Sequence, residues 1–134
     1  MLNTLRNKIK GKIYEDNINR ILYSTDASAY REKPLAVIIP ENKNDLIEII
    51  KFVSENNLAI IPRAAGTSLA GQVVGNGIVV DISKHFREII EINIEEKWVK
   101  VQPGVVLDEL NKVLEKHNLF FSPETSTSNR CMMA

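Results

Sequence analysis

Residues 58–82 constrain this chain more than any other stretch. An apolar run, Leu58-Ala59-Ile60-Ile61, leads into Pro62-Arg63-Ala64-Ala65-Gly66-Thr67-Ser68-Leu69-Ala70-Gly71-Gln72, and a second run, Ile78-Val79-Val80-Asp81-Ile82, follows. Short apolar runs bounded by turn residues read as buried strands. Small side chains between them let main-chain N–H groups approach a ligand, and consecutive N–H groups in a turn form an anion-binding concavity. Any fold for this chain must hold a strand, a small-residue loop and another strand in succession, and the loop reads as a diphosphate cradle, with a plain tight connection as its alternative.

The flanking sequence extends that unit. Pro34 opens a short buried strand, Ala36-Val37-Ile38-Ile39, which Pro40 closes. Leu46, Ile49, Ile50 and Val53 fall at i, i+3, i+4 and i+7, the apolar stripe of a helix. Asn42 or Asn44 caps its start and Asn56-Asn57 its end. Strand, helix, strand predicts a right-handed parallel βαβ unit from Ala36 to Pro62, with 78–82 as a third strand. Residues 88–94 and 98–101 then predict an antiparallel hairpin across Glu95-Glu96-Lys97. Pro103-Gly104 ends it, and Leu107, Leu110 and Leu114 mark a second helix that stops at Asn118. Leu119-Phe120-Phe121 reads as one more short strand. Upstream, Leu2, Leu5 and Ile9, then Ile13 and Ile18, predict one or two short helices over residues 1–20.

The fold class is α+β: a small parallel βαβ sheet with helices, leading into the start of a second, antiparallel subdomain. Residues 1–33 form an N-terminal helical and loop segment, and residues 34–134 the main unit.

Composition removes several functions. Lys plus Arg and Asp plus Glu both total 17, so the formal net charge is zero and a nucleic-acid footprint is missing. The apolar runs are too short to span a bilayer, and the first residues lack the apolar region of a signal peptide. The expected compartment is the cytoplasm. Cys131, the single cysteine, excludes an intrachain disulfide and a cysteine-only metal site, and reads as a small apolar filler. His85 and His117 read as surface or helix-end residues and Trp98 as packing. Asp26 and Glu124 are isolated carboxylates with no acid–base role assigned.

Two common phosphate motifs fail in the loop. Gly66 to Gly71 has the Gly-x4-Gly spacing of a Walker loop, but Gln72-Val73 stands where Lys and Ser or Thr must follow. Gly71, Gly75 and Gly77 have the wrong spacing for a Rossmann fingerprint, and a strand follows where that motif needs a helix. Instead, Pro62 to Gln72, with Thr25-Asp26-Ala27-Ser28 and Pro34-Leu35-Ala36-Val37 before it, resembles the FAD-binding domain of the vanillyl-alcohol oxidase and p-cresol methylhydroxylase (PCMH-type) flavoproteins. Val101-Gln102-Pro103-Gly104-Val105 and Phe121-Ser122-Pro123-Glu124-Thr125-Ser126-Thr127 continue the likeness in the same order. The branch it looks most like is the D-lactate dehydrogenase and glycolate oxidase subunit group.

That resemblance implies an FAD-linked oxidoreductase acting on a 2-hydroxy acid such as D-lactate or glycolate. It implies that Arg63, Ala64, Ala65, Gly66, Thr67 and Ser68 wrap the diphosphate, that Gly71 and Gln72 continue the wall, and that Pro123, Thr127 and Ser128 approach from the second subdomain. Arg63 would add charge, with a surface role as its alternative. Thr67 stands where some relatives carry a flavin-linking histidine, so the FAD would be noncovalent. Relatives have glycine where this chain has Ala64 and Ala65, so both should keep negative φ. The likeness further implies an N-terminal piece of a larger oxidoreductase, whose remainder and small-molecule substrate would be its partners. Such a piece would bind FAD poorly alone and not turn over substrate. The alternative is a non-catalytic α+β module for another phosphorylated ligand or a protein partner.

Overall fold

The computed structural model describes residues 2–134. Its elements are α1 (Asn3–Arg6), β1 (Lys12–Tyr14), α2 (Asn17–Leu22), β2 (Ala36–Ile39), α3 (Lys43–Glu55), β3 (Ile60–Arg63), β4 (Ile78–Asp81), β5 (Ile89–Asn93), β6 (Trp98–Val101) and α4 (Leu107–Leu114), with a 3₁₀ turn at Glu115–His117. The α+β class holds, as do the predicted strands β2, β3 and β4, the hairpin and both long helices.

Strands β2 and β4 are buried at every position, as uninterrupted apolar runs must be when covered on both faces. Ala36, Ile38, Ile78 and Val80 share one face and pack with Ile49, Phe52 and Val53 of α3 and with Leu2 and Leu5. Each of the larger side chains contributes roughly 1.5–3 kcal/mol by leaving water. Asn42 Oδ1 accepts the Asp45 N–H at 3.0 Å and so caps α3, one of the two predicted caps. Asn57 takes φ 50° just past the helix end.

The sheet order is β1-β2-β4-β3, with β2 and β3 both parallel to β4. The predicted parallel unit is present, but β4 lies between its two strands. Composition explains the insertion: β4 is apolar enough for burial on both faces, whereas β3 alternates exposed and half-buried positions. Pro62 in β3 has no N–H to donate, which an edge strand tolerates.

Upstream, the structure corrects one expectation. Residues 12–14 form a strand antiparallel to β2, not part of a second helix. Only Ile13 of the three is buried, the alternation a covered edge strand shows. Asp45, 2% exposed, fixes the approach to that strand by accepting the N–H groups of Lys10 at 3.1 Å, Gly11 at 2.9 Å and Glu41 at 2.9 Å.

Val105, Leu110 and Leu114 make a second core with the hairpin residues Ile89, Ile92, Val99 and Val101. Leu119-Phe120-Phe121 does not form the predicted strand. The Asn111 side chain stands in for a neighbouring strand there, its Oδ1 accepting the Phe121 N–H at 2.7 Å. Helix α4 begins without a side-chain cap; its Leu107 and Asp108 N–H groups donate to the Cys131 carbonyl at 3.1 Å and the Ser128 carbonyl at 3.2 Å. The Ser/Thr-rich segment is thereby docked on the second core.

Candidate functional site

The small-residue loop leaves the carboxyl end of β3, where the chain turns to re-enter the sheet as β4. Gly66 turns it at φ +68°, while Ala64 and Ala65 stay out of the positive-φ region, as their side chains require. Among the described residues, the N–H groups of Ala64, Ala65, Gly66, Thr67 and Ser68 donate to no protein acceptor. Five successive donors left open are what an anion cradle needs. Ser68 Oγ accepts the Ala70 and Gln72 N–H groups at 3.4 and 3.3 Å, which closes the loop behind the cradle and leaves the hydroxyl proton free to donate.

A second layer supports the loop. Arg63 Nη1 donates to the Thr25 carbonyl at 2.7 Å and to the Tyr23 carbonyl at 3.4 Å, and the guanidinium lies 5.2 Å from the centre of the Tyr23 ring. A Cβ at Gly66 would come within 2.6 Å of Arg63 Nη2, so the guanidinium is packed directly under the turn. The Ala27 N–H donates to the Gly66 carbonyl at 3.2 Å. Tyr23 Oη donates to Asp81 Oδ2 at 2.5 Å, and burial together with that carboxylate pushes the Tyr23 phenol well above its ordinary range. Asp81 Oδ1 accepts the Ser83 N–H at 2.8 Å. Residues 23–27, the exit of β4 and the loop are thus one hydrogen-bonded unit.

Two grooves flank the loop and share Ala65, Gly66 and Thr67. One, about 490 Å³, is lined on the loop side by Pro62, Ala64, Ser68, Gln72 and Val73 and opposite by Met132 and Ala134. The other, about 700 Å³, runs between Thr25, Asp26, Ala27 and Arg63 on one side and Thr125, Ser126, Thr127 and Arg130 on the other. The structure therefore gathers Arg63 to Ser68, Gln72 and Thr127. Gly71, at φ +75°, lies apart from both grooves and packs against Tyr30. Pro123 lines neither groove, and Ser128 turns its carbonyl to α4.

Tyr23, Asp81, Arg130 and Met132 escaped the sequence reading as site components. No local signal pairs Tyr23 with Asp81, which are 58 residues apart. His85 and His117 are exposed and Cys131 is buried, its Sγ 3.0 Å from Thr125 Oγ1. Trp98 is 40% exposed and donates its Nε1–H to Glu96 Oε2 at 2.6 Å. Among the described residues no cluster of His, Cys, Asp or Glu suits a metal ion, and no helix is long and apolar enough to cross a membrane.

The open amides, the glycine turn beneath them and the hydroxyls of Thr67 and Ser68 fit a diphosphate. A protein-family model described as FAD binding domain matches residues 34–134. The chain is 43% identical over 133 residues to the D-2-hydroxyglutarate dehydrogenase of Pseudomonas putida, a match covering 96% of this chain and 13% of that enzyme. To the glycolate oxidase subunit GlcD of Bacillus subtilis it is 36% identical, covering 84% of this chain and 24% of the subunit. Solved p-cresol methylhydroxylase shares the fold, with a TM-score of 0.74 at 16% identity over 89% of this chain and 25% of that one. The chain thus spans about an eighth to a quarter of the length of these proteins.

Proposed function

Because this chain belongs to the FAD-binding domain family matched by its residues 34–134, we propose that its loop holds the FAD diphosphate noncovalently on the amides of Ala64 to Ser68. The single observation that carries this reading is the run of five N–H groups without protein acceptors at the carboxyl end of β3. Two adjoining phosphates need several aligned donors away from bulk water, and here the donors are preorganised by the Arg63–Tyr23–Asp81 support. Thr67 and Ser68 add hydroxyl donors, and Thr67 offers no nucleophile of the histidine kind for a covalent flavin link. Arg63 acts chiefly as a support under Gly66. Gln72 and Thr127 complete the groove walls, and Gly71 and Pro123 shape the approach of their segments. Ser128, through its carbonyl, holds the Thr127 turn against α4.

In the same proposal, residues 34–134 are the N-terminal part of the cofactor domain, and residues 1–33 brace its sheet through β1. The parent protein is an FAD-linked oxidoreductase of a small 2-hydroxy acid; support comes from the likeness to a D-2-hydroxyglutarate dehydrogenase and a glycolate oxidase subunit. D-lactate, glycolate and D-2-hydroxyglutarate are the substrates to test. Bound flavin would supply the hydride acceptor. This chain's residues bind and orient it, and the remainder of the parent positions substrate. The cytoplasm stays the proposed compartment. The chain alone should hold FAD weakly and be inactive.

The test is to add FAD to the full-length parent protein, desalt, record the visible spectrum, and then add each 2-hydroxy acid anaerobically. Retained flavin absorbance that bleaches with one of them is the expected result. A colourless protein, with no rise in melting temperature on adding FAD, refutes the cofactor reading. Retained flavin that none of the acids bleaches refutes the substrate class alone.

A further inference from the structure

The groove between the loop and the 125–130 segment contains two charged side chains, half-buried Asp26 and exposed Arg130, each with hydrogen-bonding capacity left open. Asp26 Oδ2 is buried and has no hydrogen-bond partner, while Oδ1 accepts the Ser28 N–H at 2.8 Å. Burial pushes this carboxyl up, but Ser28, the Val73 N–H and the Arg63 charge outweigh it and hold it below its ordinary range. The ionised carboxylate can only accept, so Oδ2 is the one acceptor of this group still open to a donor. Across the groove, Arg130 makes no side-chain hydrogen bond or ion pair among the described residues. Its backbone is fixed all the same: its N–H and that of Cys131 both donate to the Thr127 carbonyl at 2.8 Å.

Opposite charges on facing walls sort a ligand by its chemistry. A guanidinium pairs with a phosphate oxygen, whereas a carboxylate repels phosphate and takes a hydroxyl. Arg63 lines the same groove, but its Nη1 is engaged by the Tyr23 and Thr25 carbonyls, so Arg130 is the cation with its donors open. The other groove, with Pro62, Val73 and Met132, contains no charged side chain in its lining. We propose that the Asp26–Arg130 groove is a sugar-phosphate subsite, in which Arg130 binds a phosphate oxygen and Asp26 Oδ2 accepts from a hydroxyl of the adjoining ribose or ribityl chain. This rests on the loop's holding a flavin dinucleotide, and it adds which groove takes the polyol limb and which side chains read it.

The experiment uses the deflavinated full-length protein, titrated with FAD, FMN, ADP and riboflavin at low and high salt. Flavins are followed by fluorescence quenching and ADP by calorimetry. Arg130→Gln should weaken FAD roughly 10- to 100-fold, flatten its salt dependence and leave riboflavin, which has no phosphate, unchanged. Arg130→Lys should restore most of the salt dependence. Asp26→Asn, which keeps an oxygen for Ser28, should weaken FAD about tenfold or more. Loss of FMN affinity would assign the hydroxyl to the ribityl chain, and loss of ADP affinity to the ribose. Asp26→Ser serves if the asparagine variant does not fold. Wild-type affinity in either variant, while Gly66→Val has lost FAD, overturns the subsite and leaves the loop reading standing. If the wild-type protein takes up no FAD, the loop reading fails and the subsite with it.

Discussion

Replacing Gly66 with alanine tests whether the turn and its guanidinium support are one device. The φ of +68° would force an L-residue into the left-handed region, at about 1–2 kcal/mol. The new Cβ would also meet Arg63 Nη2 at 2.6 Å and Cζ at 3.0 Å, so the guanidinium must withdraw. Withdrawal breaks the 2.7 Å bond to the Thr25 carbonyl, worth roughly 1.5–3 kcal/mol as a charged hydrogen bond, and loosens the stack on Tyr23, worth about 0.5–1 kcal/mol. If the loop keeps its shape, the sum is about 3–6 kcal/mol of stability. If the loop rearranges, the loss moves from stability to FAD affinity, where about 3 kcal/mol is more than a hundredfold. Urea unfolding of the chain and FAD titration of the deflavinated parent measure the two shares. The double variant with Arg63→Ala should be milder than the sum of the singles by about 1–3 kcal/mol, because the clash has been removed. An alanine variant with unchanged stability and unchanged FAD affinity would refute both the strained turn and its role.

Four further outcomes follow from other parts of the fold. Asp45→Ala should lower stability by about 2–4 kcal/mol in urea unfolding, since three part-buried backbone N–H groups lose their acceptor. Burial pushes the Asp45 carboxyl up, but the Glu41, Lys10 and Gly11 N–H groups outweigh it and hold it below its ordinary range. Its contribution is therefore complete above the unfolded-state value and is lost as pH falls through the folded-state value, so Asp45→Asn should flatten the stability decline below about pH 4. Tyr23→Phe should cost about 1–3 kcal/mol, read as a lower melting temperature, by leaving the buried Asp81 Oδ2 without its donor. Leu110→Ala, at a fully buried site on α4, should cost about 2–5 kcal/mol and be read in the same melting assay.

What the sequence disclosed, and what it hid, divides along physical lines. Helix α3 was legible because its stripe repeats at 3.6 residues and Asn42 caps it. Strands β2 and β4 were legible because an apolar run between turn residues has few other uses. The order β2-β4-β3 was not, since sequence gives strand existence but not neighbours; only the weaker burial of β3 and Pro62 pointed to an edge. β1 escaped because a three-residue strand has no periodicity to detect. Phe120 and Phe121 carried a strand's composition without a strand to pair with, and the Asn111 side chain took that place. The loop itself was readable from its small residues. Its support was not: Arg63 could be seen beside the loop, but its carbonyl acceptors lie 38 and 40 residues upstream.

The proposed site straddles two cores, and this has an energetic consequence. The cradle hangs from the first core through β3, whereas Thr127 and Arg130 are held on the second by the α4 amides and the Thr127 carbonyl. One link along the seam is the N–H of Gly104, next to Val105 of the second core, which donates to the carbonyl of Phe86 in the first at 2.7 Å. A dinucleotide touching both walls would bind only their docked arrangement, so it would stabilise docking as well as folding. At a free FAD concentration a hundred times its dissociation constant, that linkage adds about 2.7 kcal/mol. Weakening the seam should then lower FAD affinity without touching any cradle residue, whereas weakening the far face of α3 should lower stability and leave affinity in place. That contrast follows from where the two walls are anchored, and a ligand held by the loop alone would not produce it.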